Sequence, residues 1–332
     1  MRSAGSDAPV LVTGAAGFIG MHVCRKLLDA GHEVIGIDNL DAYYDPQLKR
    51  DRLARLQPHP RFRFELLDIA QTDALRNVLS ASGAKRVIHL AAQAGVRHSL
   101  ANPAAYVQAN LVGFANVLEA CRHEKVAHLV YASSSSVYGT NRKVPFSEAD
   151  FADHPASLYG ATKKANELMA YSYSHLFGLP ATGLRFFTVY GPWGRPDMAY
   201  YSFAKAIMAG EPIPVFNDGR MGRDFTYIGD VVEAIVRVLD APPAMEVQLS
   251  AAHRVYNVGN HQPVALLDFI ATLERTLGRT AVRQFMPMQP GDVVETYADV
   301  AALQAAVGFS PDTSLEDGLR EFAGWFRAYH KL

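Results

Sequence analysis

Cysteine is scarce in this 332-residue chain, which has only Cys24 and Cys121. Both fall within helical hydrophobic patterns, which suits buried thiols in a reducing compartment and excludes a disulfide framework or a cysteine-rich metal site. An excess of one charge is missing as well. Lys and Arg number 32 against 33 Asp and Glu, a formal net charge of −1, so no global field draws the chain to nucleic acid or to a membrane surface. A small-molecule partner is expected instead. No apolar run reaches the roughly 18 residues of a membrane span, and Met1–Pro9 is small and polar with no apolar core for export. The expected location is therefore cytoplasmic. No His/Cys/Asp cluster stands at metal-ligand spacing, so no metal is expected, and no repeat or low-complexity tract is visible. With 49% hydrophobic and 20% charged residues, the chain is a globular protein of one large domain or two.

Short apolar runs at Val10–Thr13, Val34–Asp38, Arg63–Leu67, Val87–Ala91, His128–Ala132 and Thr182–Phe187 read as strands. Helical patterns at Phe18–Ala30, Ala74–Ser80, Tyr106–Arg122 and Tyr159–Phe177 separate several of them, and Asn39–Arg55 is a polar stretch. Strands alternating with helices at these intervals predict α/β architecture, a doubly wound, mostly parallel Rossmann sheet. After Phe187 the breaker-rich loops Gly191–Pro196 and Gly210–Pro214 mark a smaller mixed α/β lobe. Its elements are the amphipathic patterns Asp230–Leu239 and Val264–Leu277, a strand at Val255–Val258, and a terminal helix Leu315–His330. The expected division is a nucleotide-binding domain over 9–187, to which some later segments return, and a substrate lobe over 188–332.

Gly14-Ala15-Ala16-Gly17-Phe18-Ile19-Gly20 lies between the first strand and the first helix. Glycines there allow a tight turn, close backbone approach to a pyrophosphate, and helix packing on the sheet, while the helix N-terminus offers N–H groups to the anion. Asp38, at the end of the second strand, suits the adenosine ribose hydroxyls and repels a 2′-phosphate, favouring NAD over NADP. Lys49 and Arg50 leave some room for NADP. Asp68 after the third strand is placed either to face adenine or to cap a helix. Tyr159 and Lys163 share one helix face at i and i+4, and Ser133-Ser134-Ser135-Ser136 follow a strand whose end is a ligand site in such sheets. A phenol of ordinary pKa near 10 is a poor base at neutral pH, but a neighbouring ammonium favours its phenolate. His89 and His98 flank the cofactor segment and read as structural.

The glycine motif, Asp38, His89-Leu90-Ala91-Ala92, the serine run and the Tyr159/Lys163 pair resemble the extended short-chain dehydrogenases that modify nucleotide sugars. Finer segments resemble the UDP-glucuronate 4-epimerase branch: Asp38-Asn39-Leu40 with Tyr43-Tyr44-Asp45-Pro46, Ala91–Arg97, Arg185–Met198 and Met288–Asp292. The resemblance runs from Val10 through nearly the whole chain. The leader Met1–Ala8 is longer than that of bacterial members and lacks the anchor of plant ones.

The resemblance implies C4 epimerisation of UDP-glucuronate to UDP-galacturonate through a 4-keto intermediate, with tightly held NAD and no net redox change. It assigns catalysis to Ser134, Tyr159 and Lys163. Cofactor contacts fall to Gly14, Gly17, Phe18, Ile19, Gly20, Asp38, Asn39, Asp68, Ile69, Leu90, Ala91, Ala92 and Asn110, with Tyr159 and Lys163. For the UDP-sugar it implies Arg97, Ser134, Ser135, Tyr159, Thr188, Arg195, Arg223 and Asp292. Thr188 and Arg195 would hold the hexuronate carboxylate, a task that suits a hydroxyl and a guanidinium, although Arg195 also reads as a loop arginine capped by Asp197. Arg97 fits either pyrophosphate or carboxylate. Related dehydratases place an Asp-Glu pair, and related decarboxylases a Glu, where this chain has Ser135 and Ser136, so elimination is disfavoured. A UDP-glucose 4-epimerase, a UDP-glucuronate decarboxylase and a non-catalytic nucleotide-sensing module remain as alternatives. A homodimer through the helices at Tyr106–Arg122 and Tyr159–Phe177 is implied by the same analogy.

Overall fold

Val10–Thr13 (β1) and Val34–Asp38 (β2) are buried at every residue, the signature of strands covered on both faces. They pair in parallel, Val10 with Val34 through Thr13 with Ile37. Between them runs Phe18–Asp29 (α1), whose buried side includes Met21, Val23, Cys24, Leu27 and Leu28. The alternation continues through Pro46–Ala54 (α2), Phe62–Leu66 (β3), Thr72–Ser82 (α3) and Arg86–His89 (β4). Two single turns, His98–Ala101 (α4) and Pro103–Tyr106 (α5), lead into a π-helical turn at Val107–Val112 and then Gly113–His123 (α6). His128–Ser134 (β5), Leu158–Phe177 (α7) and Ala181–Phe186 (β6) follow. This computed structural model describes residues 8–246, 250–288 and 294–332. Most of the N-terminal segment read above as lacking an export signal, and Asp292, lie outside the described residues.

Downstream come Thr188–Tyr190 (β7), Ala199–Ala209 (α8), Pro212–Phe216 (β8), Gly222–Tyr227 (β9), Ile228–Leu239 (α9) and His253–Val258 (β10). Pro263–Ala265 (β11), Leu266–Leu277 (α10), Val282–Met286 (β12), Glu295–Thr296 (β13), Ala301–Val307 (α11) and Leu315–His330 (α12) complete the described elements. The main sheet has seven strands in the order β10-β6-β5-β4-β1-β2-β3. The order reverses between β1 and β4, and the crevice beyond their carboxyl ends is where open α/β sheets bind ligands.

Two compact units emerge. One runs to Gly139 and adds Phe151–Arg185 and Val232–Tyr256; the other comprises Thr140–Asp150, Phe186–Val231 and Asn257–Leu332. Val232–Tyr256 is thus a late segment within the first unit, while Thr140–Asp150, inside the span 9–187, belongs to the second. In the first unit, Leu75 and Leu79 of α3 pack with Phe114, Val117, Leu118 and Cys121 of α6 on one side of the sheet. In the second, β9 lies between β11 and β13 and also pairs with β7. Its core is aromatic, built from Tyr190, Tyr200, Phe225, Phe269, Phe322 and Phe326 among others.

The structure departs from the sequence reading in three places near the site. Pro46–Ala54, read as part of a polar stretch, is a helix capped by the Asp45 side chain. The helix expected over Tyr106–Arg122 is interrupted by the π turn, and such turns recur at functional sites. β5 continues to Ser134, so that residue ends the strand rather than following it.

Candidate active site

The glycine turn leaves no room for side chains. Gly14 has φ +74°, and a Cβ on it would stand 2.7 Å from the Ala91 nitrogen; one on Gly20 would stand 2.0 Å from the Gly14 carbonyl oxygen. No side chain caps α1 at Gly17, so its N-terminus presents bare backbone, as a pyrophosphate requires. Asp38 is 7% exposed. One of its carboxylate oxygens accepts from Ala16 N at 3.1 Å and the other from Leu40 N at 2.8 Å, and each retains acceptor capacity for a ribose hydroxyl. These residues fit a dinucleotide. Behind them, fully buried Arg52 donates to the Ala16 carbonyl and to the Tyr44 hydroxyl, an anchor the sequence reading missed. The Lys49 ammonium stands 5.2 Å over the Tyr44 ring.

Asp68 does not cap α3, whose N-cap is Gln71. One Asp68 oxygen accepts from Ala70 N and the other from the Asn39 amide, which ties together the loops after β2 and β3. Ile69 is packed in the core and abuts Gly113. Leu90 and Ala91 are held to β1, Leu90 N donating to the Thr13 carbonyl and Ala91 N to the Thr13 hydroxyl. The same hydroxyl pairs with His89 Nδ1 at 2.8 Å. Burial, with a smaller push from Lys163, drives the His89 pKa down to about 3, so this histidine stays neutral at working pH and serves structure.

Asn110, inside the π turn, is 1% exposed. Its Oδ1 accepts from Gln93 N, while Nδ2 donates to the Gln93 carbonyl and the Thr162 hydroxyl. Both amide hydrogens are thereby spent on joining the loop after β4 to α7. Thr162 in turn donates to the Tyr159 carbonyl, so Asn110 braces the first turn of α7. The half-buried Tyr159 packs its ring edge-to-face against Tyr106, centroids 6.1 Å apart.

Lys163 is 2% exposed, and its ammonium donates to the Ala132 carbonyl of β5 at 2.9 Å. Burial lowers its pKa to about 8. The ammonium is therefore present at neutral pH and is lost as pH rises through about 8. Ser134 is buried at the end of β5, and its hydroxyl accepts from Ser136 N. That bond caps the 3-10 turn Ser135–Tyr138, in which Ser135 is half-buried. The first unit thus holds Ser134, Tyr159 and Lys163 together with the glycine turn, and Arg97 lies exposed on its surface.

Thr188, Arg195 and Arg223 belong to the second unit. Thr188 opens β7 and is half-buried. Trp193 adopts φ +63°, unusual for a bulky residue, and its ring is held by Trp325 and Tyr329, each 5.3 Å away. This braced turn delivers Arg195, whose Nε donates to Asp197 Oδ1 at 3.0 Å and whose Nη2 donates to Oδ2. The loop pairing considered from sequence therefore exists in the structure. Arg223 Nη1 donates to the Gly222 and Val294 carbonyls. Next to it, buried Asp224 accepts from the Asn260, His261 and Ala298 amides and from Thr226, fixing the base of the strand that carries Arg223. Among the described residues, no cluster of His, Cys, Asp and Glu could hold a metal.

Comparison with known proteins agrees with this geometry. An uncharacterized 37.6 kDa protein from Escherichia coli O111:H- is 54% identical over 97% of this chain and 99% of its own length. A probable UDP-glucuronate 4-epimerase of Rhizobium meliloti (strain 1021) is 49% identical over 95% of this chain and 96% of that protein. The crystal structure of UDP-glucuronic acid 4-epimerase from Bacillus cereus, in complex with UDP-glucuronic acid and NAD, superposes with TM-score 0.88 at 36% identity, covering 97% of this chain and 99% of that one. The model of the NAD dependent epimerase/dehydratase family matches residues 10–259, and the chain belongs to that family.

Proposed function

We propose that this protein is an isomerase that interconverts UDP-glucuronate and UDP-galacturonate by redox-neutral epimerisation at C4. The carrying observation is the strand-end Ser134 with Tyr159 and the buried Lys163 in the same unit as the glycine turn and Asp38. The names of the Rhizobium and Bacillus proteins support the choice of sugar. In the forward direction the O4 proton passes to Tyr159, with Ser134 hydrogen-bonded to the same oxygen and the Lys163 ammonium stabilising the phenolate. NAD, held by the glycine turn and Asp38, would supply the acceptor and then the donor of the C4 hydride. Tyr159 returns the proton to O4 once the 4-keto sugar has turned over in the pocket. Ser135 and Ser136 supply no carboxylate base to take the C5 proton, so the reaction stops at epimerisation.

Thr188 and Arg195 hold the hexuronate carboxylate in this reading, Arg223 and Asp292 the UDP moiety, and Arg97 either the pyrophosphate or the carboxylate. Protein purified without added cofactor should release NAD, not NADP, on heating, because a cofactor regenerated in each cycle has no reason to leave. It should also convert UDP-glucuronate in preference to UDP-glucose when nucleotide sugars are separated by chromatography. Activity that requires added NADP would reject the role of Asp38, and equal use of UDP-glucose would favour a UDP-glucose 4-epimerase.

A homodimer is part of the proposal. Val107 and Val112 of the π turn and Leu168, Leu176 and Phe177 of α7 are 39–66% exposed, and apolar helix surface of this kind is suited to pairing with its copy. Light scattering should give twice the chain mass, and Leu168→Glu should halve it; a wild-type monomer would refute the pairing. A cytoplasmic location is supported by the two buried free thiols. No described helix is long and apolar enough to cross a membrane.

A further inference from the structure

One turn beyond Lys163 on α7 lies Glu167, and adjacent residues of β5 answer the two side chains. Lys163 donates to the Ala132 carbonyl at 2.9 Å, and the Ser133 hydroxyl donates to Glu167 Oε1 at 2.7 Å. Arg185 near the end of β6 closes on the same carboxylate, Nε to Oε1 and Nη2 to Oε2, both at 2.8 Å. Its guanidinium carbon stands 4.8 Å over the Tyr138 ring. Ser133, Glu167 and Arg185 are 2–4% exposed. Burial pushes the Glu167 carboxyl up, but the hydrogen bonds and charge of Arg185 outweigh it and hold the group below the usual carboxylate range.

A buried ion pair contributes little net stability over apolar side chains of similar volume, because both charges lose their hydration. What this one contributes is direction. The bidentate fork allows the Glu167 carboxylate a single orientation, and in that orientation Oε1 takes the Ser133 hydroxyl. Successive side chains of a strand point to opposite faces. Holding Ser133 toward α7 therefore sets where the backbone turns Ser134, the last residue of β5.

We propose that Glu167 is a positioning residue: anchored by Arg185, it fixes Ser133 and, through the pleat of β5, the direction in which Ser134 presents its hydroxyl to the sugar O4. The proposal rests on the role given to Ser134 above. It is tested on the holoenzyme as purified, with Ser133→Ala, Ser134→Ala and the double variant, reading kcat and KM for UDP-glucuronate separately along with retained NAD. Ser133→Ala removes one hydroxyl and leaves the ion pair in place, so the fold is preserved. Its kcat should fall about tenfold, since small misplacements of reacting groups cost factors of this order, while KM and retained NAD stay near wild type.

In the Ser134→Ala background the same change should cost nothing further, because a residue that acts through Ser134 has no target once that hydroxyl is gone. Ser133→Thr, which keeps the hydroxyl, should restore kcat. The positioning role is overturned if Ser133→Ala turns over like wild type while Ser134→Ala is impaired. It is equally overturned if Ser133→Ala lowers kcat by the same factor in both backgrounds, the mark of a general structural defect. A fully active Ser134→Ala would instead remove the reading of Ser134 itself.

Discussion

Tyr159→Phe should lower turnover of UDP-glucuronate by about 10²–10⁴-fold, the usual contribution of a positioned acid–base group, with little change in UDP-sugar binding. The substitution removes one oxygen and keeps the ring, so the edge-to-face contact with Tyr106 survives. In wild type, the turnover that draws on the Lys163 ammonium should decline as pH rises through about 8, where burial places its loss of charge. The sign follows from the lowered pKa: the charged form is complete below it and absent above. Titration calorimetry beside steady-state rates separates binding from chemistry. Retention of more than about a tenth of wild-type turnover by Tyr159→Phe would place the base elsewhere.

Arg195→Ala should weaken UDP-glucuronate binding by about 2–5 kcal/mol if the substrate carboxylate is well desolvated against the guanidinium. The side chains of Arg195 and Asp197 are 22% and 26% exposed, which points to the lower end of that range. The existing pair with Asp197 orients the guanidinium as well as competing for it. A second consequence concerns the intermediate. A 4-keto hexuronate is a β-keto acid that loses CO2 when the bond from C5 to the carboxylate aligns with the carbonyl π system, and a clamp holding that bond near the ring plane suppresses the loss. Among the remaining turnovers of Arg195→Ala, a larger share should end as UDP-4-keto-pentose with reduced nicotinamide, seen by mass spectrometry and absorbance. If Arg195→Ala and Thr188→Ala bind and epimerise as wild type does, the carboxylate contact moves to Arg97.

Much of this was legible in the sequence because the signals are local. β1, β2 and α12 have the bounds read from their apolar spacing, and the glycine turn, Asp38 and the i, i+4 pair Tyr159/Lys163 are each contained in a few consecutive residues. α2 was hidden because Lys49 and Arg52 are among its buried residues, so charge sits where a hydrophobic stripe would be read. The π turn left no trace in a pattern that counts apolar residues, since it depends on the buried contacts of Asn110. β5 runs past its apolar stretch because Ser133 and Ser134 continue the strand despite little strand character of their own. Glu167 stood at helical spacing from Lys163 in plain view, but its partner Arg185 is on another element, and only the fold brings the two together. The sequence suggests that some late segments return to the first domain, but that Val232–Tyr256 falls in that unit depends on long-range contacts.

The central claim, redox-neutral inversion at C4 with a retained cofactor, is tested most directly with UDP-glucuronate carrying deuterium at C4. The label is incubated with purified protein, no nucleotide added, and followed by mass spectrometry and NMR of the nucleotide sugars. UDP-galacturonate with the deuterium still on C4 is the predicted product. Loss of the label to water, or recovery of UDP-glucuronate unchanged under conditions where UDP-glucose is epimerised, would contradict it.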